Sequence, residues 1–460
     1  MLKDIQLNWE NLLSTEIYGQ TKKSKSDGRS QFQRDFDRIV FSSAFRRLQD
    51  KTQVFPLPEN DFVHTRLTHS LEVSCVGRSL GNLVGKTLIE RHPNLMDKYI
   101  SFNFGEIVAA ACLAHDIGNP PFGHSGEDAI SEYFKNGEGK YLKEKIKSEK
   151  KWSDLINFEG NAQGFRIITI LQNPNITGGL RLSLATLGAF TKYPRESKLT
   201  GKDLTNIKGK KIYRKHGYFQ SEKHIFEKVA EDVGLSKMNK EKGNSIWARH
   251  PLTYLVEAAD DICYGIMDLE DAFRLGLLTF EETEELLMPF VSNQNLPLYK
   301  QRNKHDKIGY LRAKTISNLV KQLSECFLEN ENRILNGKMY DDLITHIPTK
   351  KTLKTIKKIS VEKIYSYKSV IEREAAGYEV IGGLLDIFIK AVNEAAEGKL
   401  STKNKSIVQL LPIQYLNKDS KVGSNLYNRL LRVTDYVSGM TDSFAISLFR
   451  RLKGISLPNG

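Results

Sequence analysis

Apolar residues recur every three or four positions along most of this chain, and that period restricts it to packed helices. Leu67, Leu71, Cys75, Val76 and Leu80 form one such stripe, and Leu252, Leu255, Ala259, Ile262, Ile266 and Leu269 form a longer one. Period-two alternation is brief. Lys211 to Phe219 is its clearest case and predicts a small hairpin inside a basic insertion. The expected fold is therefore all-α. A break in the pattern from Asn293 to Asp306, around Pro297, divides a helical core (1–295) from a C-terminal helical region (296–460). The Lys-rich segment 349–358 reads as a surface loop or linker.

With 460 residues, 40% of them hydrophobic and 27% charged, the chain has the composition of an ordinary globular protein. No run approaches the roughly 18 apolar residues of a membrane span, and the start, MLKDIQLNWENLLS, lacks the basic-then-apolar layout of a secretory signal; both predict a cytoplasmic protein. The four cysteines, Cys75, Cys112, Cys263 and Cys326, are far apart and predict buried reduced thiols. A formal charge of +13 favours polyanionic ligands such as nucleotides or nucleic acid, although much of the excess falls in Lys-rich stretches that read as solvated faces.

The stretch 109–127, AAACLAHDIGNPPFGHSGE, carries the most chemistry. An apolar helix runs into His115-Asp116 and must stop at Gly118-Asn119-Pro120-Pro121, because proline cannot continue a helix and glycine suits a left-handed helix end. One imidazole nitrogen and one carboxylate oxygen suit a divalent Mg, Mn, Fe, Co or Zn ion. Further ligand types stand on separate helices. His69 lies in HTRLTHSLEVSCVG with Arg66 one turn before it, and Asp260-Asp261 lie on an amphipathic helix with Tyr264 and Asp268 one and two turns beyond Asp260. Either aspartate can reach a metal by helical geometry. Two histidines and two aspartates hold an ion while leaving positions for water and substrate. After the Pro-Pro turn, Ser125-Gly126-Glu127-Asp128 has the spacing of a helix capping box. His124 beside it is a candidate general acid that Glu127 orients. Taken singly, each of these residues also has a plain reading as core histidine or helix-surface charge.

Together the motifs resemble the HD superfamily and, within it, the dGTP triphosphohydrolase family. The resemblance runs through RDFDRIVFSSAFRRLQDKTQVFP (34–56), HTRLTHSLEV (64–73), HDIGNPPFGHSGE (115–127), FEGNAQGFRI (158–167), YLVEAADDICYGIMDLEDA (254–272) and SGMTDSFAISLFRRLKG (438–454). It implies an HD-domain helical core in which His69, His115, Asp116 and Asp260 are metal ligands. Asp260 is chosen over Asp261 by the family's Asp-x-x-x-Tyr-x-x-x-Asp spacing. It implies His124 as general acid with Glu127 as partner, Arg66 and Asn161 at the phosphates, Gln53 and Asp268 at the sugar 3′-hydroxyl, and Tyr264 against the sugar. The implied cofactor is a divalent metal ion, and the implied reaction cleaves a dNTP, dGTP above the others, at the α-phosphorus to deoxynucleoside and tripolyphosphate. The implied partners are copies of the chain in a homo-oligomer, a hexamer for preference, with single-stranded DNA as a further ligand. An animal relative with SAM and HD domains has histidine where Asn119 stands, so no role of that histidine carries over. Two rival readings are another HD phosphohydrolase and a nucleic-acid-binding protein with a vestigial site.

Overall fold

The computed structural model describes residues 6–20, 27–54, 64–291, 299, 302–416 and 422–456. Helices dominate it. The principal ones are α1 (Gln31–Val40), α2 (Arg66–Arg91), α3 (Ser101–Ala114), α4 (His124–Lys135), α5 (Gly160–Arg166), α6 (Leu184–Phe190), α7 (Thr253–Arg274), α8 (Lys304–Glu329), α9 (Lys350–Ile359), α10 (Lys368–Ala396), α11 (Leu426–Ser438) and α12 (Asp442–Leu452). Among the described residues β-pairing is confined to isolated bridges, one of them between Thr52 and Thr65. No helix among them is long and apolar enough to cross a membrane.

The site is positioned by the α2–α3 pair. On α2, Gly77, Gly81 and Gly85 face α3 one turn apart, and a Cβ at Gly81 would lie 2.7 Å from the Gly105 Cα and 2.8 Å from the Phe104 carbonyl. Only glycine lets the two backbones approach this closely. The buried stripe of α2 is therefore Val73, Val76, Leu80, Val84 and Leu88, and the expected Leu71 and Cys75 are exposed. Cys112, Cys263 and Cys326 are buried, and all four cysteines are free.

The apolar interior forms two clusters. One gathers α1, α2, α3, α6, α7 and α8 and runs on to Val370; the other joins 122–158 to α10, α11 and α12. The expected break at 293–306 falls mostly outside the described residues. Two expectations are corrected. Lys211 to Phe219 is not a hairpin. Lys211–Tyr213 is a single 3-10 turn, and Ile212, Tyr213, Tyr218 and Phe219 plug the core from a loop as two adjacent pairs. The segment 349–358 is no loop either: α9 buries Leu353 and Ile356 and keeps its lysines outside, a period that a Lys-rich composition conceals.

Candidate active site and metal centre

Three helices each deliver one potential metal ligand to a common point. Thr65 caps α2, its hydroxyl accepting the Thr68 N–H, and His69 follows in the first turns, 2% exposed. His115 stands at the C-cap of α3, where its Nδ1 donates to the Cys112 carbonyl at 2.6 Å. That bond fixes the tautomer and turns the Nε2 lone pair outward. Asp260 of α7 completes the set, its Oδ1 lying 3.3 Å from His69 Nε2 and 3.5 Å from His115 Nε2. One ligand atom from each of the three residues lies within 4.8 Å of the other two.

The electrostatics favour a cation there. Burial would lower the His115 pKa, but Asp116 and Asp260 outweigh it and raise it to about 9. Burial likewise opposes charge on Asp260, yet His115, His69 and Lys192 hold its carboxyl well below the usual range. Two imidazole nitrogens and a carboxylate oxygen suit a divalent ion. Asp261 stands apart from the imidazoles: burial and Glu257 push its carboxyl up to about 7, and its Oδ2 is buried without a partner. Asp116 adjoins the triplet without belonging to it. Its Oδ1 is 3.4 Å from His115 Nε2 and accepts from Asn119, while its Oδ2 accepts from Arg66 at 2.7 Å. Despite burial, His115 and Arg66 hold this carboxyl down at about 2.

The Pro-Pro turn then reverses the chain differently from the sequence expectation. Gly118 does not take the left-handed conformation; it is needed because a Cβ would meet the Gly160 carbonyl at 2.0 Å and the Gly164 nitrogen at 2.2 Å. The left-handed residues are Phe122 (φ 64°) and Gly123 (φ 62°). There is also no capping box at Ser125. Gly123 is the N-cap, without a side-chain cap, and His124 is the first residue of α4; the Glu127 carboxylate in the first turn is taken by other partners. Its Oε2 meets His124 Nδ1 at 2.8 Å and its Oε1 accepts the Gly160 N–H at 2.6 Å. The His124 ring is exposed, and hydrogen bonding to Glu127 raises its pKa.

His69, His115, Asp116, His124, Glu127 and Asp260 face one cavity of about 410 Å³, together with Gln53, Arg66, Asn161 and Tyr264. Gln53 Oε1 and Arg66 Nε are buried there without hydrogen-bond partners. Asn161 donates to Glu159 at 2.7 Å. Of the sequence-predicted site residues, Asp268 alone is not on the wall. It lies one layer behind, accepting the Tyr365 hydroxyl at 2.7 Å, and burial pushes its carboxyl up to about 8. Tyr365 in turn stacks on Tyr264, ring centroids 5.6 Å apart.

Sequence reasoning missed the wall cations. Lys192 reaches Glu257 at 3.4 Å and Asp260 at 3.7 Å, and Lys215 reaches Glu159 at 2.9 Å and Glu127 at 3.5 Å. Lys215 sits at the end of a Lys-rich stretch read as solvated. The signal for Lys192 was its place, separated by one residue from the apolar last turn of α6 and just before Tyr193-Pro194, where a solvated lysine is out of context.

Comparison with known proteins gives a consistent result. Residues 66–173 match the HD domain, and residues 343–451 match the phosphohydrolase-associated domain. The chain is 43% identical over 458 residues to the deoxyguanosinetriphosphate triphosphohydrolase-like protein of Synechocystis sp., covering 98% of this chain and 100% of that one. It is 37% identical over 484 residues to the protein of the same description from Listeria monocytogenes, covering 98% and 100%. It is 31% identical over 522 residues to the deoxyguanosinetriphosphate triphosphohydrolase of Enterobacter sp., covering 98% of each.

Proposed function

The chain belongs to the deoxyguanosinetriphosphate triphosphohydrolase-like family of HD-domain phosphohydrolases, and on that premise we propose that it hydrolyses dGTP, and with it other dNTPs, to deoxynucleoside and tripolyphosphate. One observation carries the reading: the His69–His115–Asp260 triplet and the His124–Glu127 pair open on the same 410 Å³ cavity. His69, His115 and Asp260, with Asp116 as fourth ligand, would hold a divalent ion, which would supply Lewis-acid activation of water and of a phosphoryl oxygen. Water adds to the α-phosphorus and the bond from phosphorus to the sugar 5′ oxygen breaks. His124 gives that oxygen its proton, and Glu127 holds the ring by Nδ1 so that Nε2 faces the leaving group. Arg66, Asn161, Lys192 and Lys215 take up the negative charge of the triphosphate. Gln53 offers its buried, unpartnered carbonyl to the 3′-hydroxyl. Asp268 fixes the Tyr365–Tyr264 stack against which the sugar packs. The same reading makes the protein a homo-oligomer, a hexamer for preference, with single-stranded DNA as a further ligand of its +13 charge.

The test is direct. Purified protein incubated with each dNTP and NTP, with Mg or Mn, yields deoxynucleoside and tripolyphosphate on ion-exchange chromatography; a dNDP or dNMP as the first product overturns the assignment.

A further inference from the structure

Two buried charged groups that the proposed reaction does not use grip the loop carrying Asp116 and His124. Asp442, the first residue of α12, is 3% exposed. Its Oδ1 accepts the Phe122 N–H at 3.0 Å, while its Oδ2 accepts the Thr52 N–H at 3.2 Å and lies 3.6 Å from the Arg373 guanidinium. Lys51, equally buried, donates to the Ser438 carbonyl at 3.0 Å and to the Asn119 carbonyl. Its own carbonyl accepts the Arg66 N–H at 3.0 Å. Three remote segments, 51–52, 119–122 and 438–442, therefore meet in one junction.

The place where it grips matters. Phe122 is a non-glycine residue in the left-handed region, a conformation that persists only where the surroundings impose it. Its N–H is held by Asp442, and its ring packs on Gly377 of α10, where a Cβ would lie 3.0 Å away. Backbone and side chain of the strained residue are thus both fixed by the C-terminal helices. Two residues further on stands His124, and one residue beyond Thr52 stands Gln53 with its buried free carbonyl.

We infer that Asp442 and Lys51 are positioning residues. Through Phe122 and Asn119 they set His124 against the metal centre, and through Thr52 they set Gln53, so the phosphohydrolase-associated region completes the active site. This rests on the nucleotide-hydrolase reading above.

The test uses full-length Asp442→Ala, Asp442→Asn and Lys51→Met, with bound metal, melting temperature, kcat and KM measured for each. The titration of the His124 ring, assigned by its loss in His124→Gln, is followed by NMR on carbon-13 histidine. In Asp442→Ala and Lys51→Met, kcat falls about 10–100-fold, KM moves less than about fivefold and metal content holds, as for a catalytic group displaced by an ångström. The His124 pKa falls toward the ordinary histidine value as its Glu127 contact loosens. Asp442→Asn keeps an acceptor for the Phe122 N–H and recovers most of kcat. If Asp442→Ala does not fold, Asp442→Asn and Lys51→Met carry the comparison. Wild-type kcat and titration in folded Asp442→Ala or Lys51→Met, or a kcat loss matched by lost metal or by the unfolded fraction, overturns the inference. Should no dNTP be hydrolysed even by the wild type, the functional reading fails, and the His124 titration still decides the positioning role.

Discussion

The proposed role of His124 as general acid and its part in the fold are separable by substitution. Its ring is exposed and bonds to Glu127, so His124→Ala removes little packing and its cost is that one bond, about 0.5–1.5 kcal/mol. As general acid it contributes about 10²–10⁴-fold, nearly all of it in kcat. Glu127 differs: it is 6% exposed and also accepts the Gly160 N–H. Glu127→Ala orphans that buried donor, at about 1–3 kcal/mol, and lowers melting temperature along with rate. The acid must be protonated to act, and Glu127 raises its pKa, so kcat is flat at low pH and falls as pH rises through the raised value. Glu127→Gln moves that falling limb to lower pH. The two alanine variants combine non-additively, as residues acting as one unit do. Single-turnover rates across pH, with metal content and melting temperature, measure all of this. Normal single-turnover chemistry in His124→Ala refutes the reasoning.

Three further outcomes follow from the geometry. Asp260→Asn or His115→Ala lowers metal affinity by more than about 100-fold, since even a second-layer partner is worth 10–100-fold; elemental analysis beside an unchanged helical circular dichroism spectrum checks it. Gly81→Ala places its methyl 2.7–2.8 Å from Gly105 and Phe104 backbone atoms, against 3.4 Å for ordinary contact. It costs about 1–3 kcal/mol of stability and weakens metal binding, because α2 cannot yield without carrying His69 away from His115; thermal unfolding and metal titration read both effects. His250 is buried as a neutral ring, Nε2 donating to the Leu12 carbonyl at 3.0 Å and Nδ1 accepting the Leu252 N–H at 3.2 Å. Burial lowers its pKa to about 4, so the stability it contributes is complete above about pH 6.5 and lost as pH falls through 4. That loss is about 3 kcal/mol, and denaturant unfolding of wild type and His250→Gln across this range shows a flatter slope in the variant.

The helical architecture was legible because most helices carry their own stripe. Leu252 to Leu269 is buried as its period requires. Legibility failed where a neighbour, and no local pattern, decides. Leu71 and Cys75 satisfy a helical period yet face outward, because the glycines of α2 rotate its contact face toward α3. The hairpin expected at Lys211 to Phe219 mistook apolar and aromatic plugs for a strand; the buried residues come in runs, 212–213 and 216–219, and do not alternate as a strand requires. In α9 the lysines hid two buried residues, enough to fix a ten-residue helix against the core.

At the site, the chemistry-bearing residues were visible because metal and proton chemistry admit few residue types: ten of the eleven expected side chains line one cavity. Residues whose work is to hold others were not visible. Lys192 looks like any surface lysine until Glu257 and Asp260 are seen beside it, and Asp442 looks like helix N-terminal charge until Phe122 and Thr52, more than three hundred residues away, are found bonded to it. A carboxylate beside a strained backbone N–H has no sequence signature, because the strain exists only once the loop has closed. The same reasoning explains why the proposed metal ligands come from the ends and faces of long, rigid helices while the proposed proton donor comes from a strained turn. A coordination shell tolerates only small errors in position, which α2, α3 and α7 supply, whereas the proton donor must reach over the cavity, and an uncapped helix start behind two left-handed residues puts His124 there.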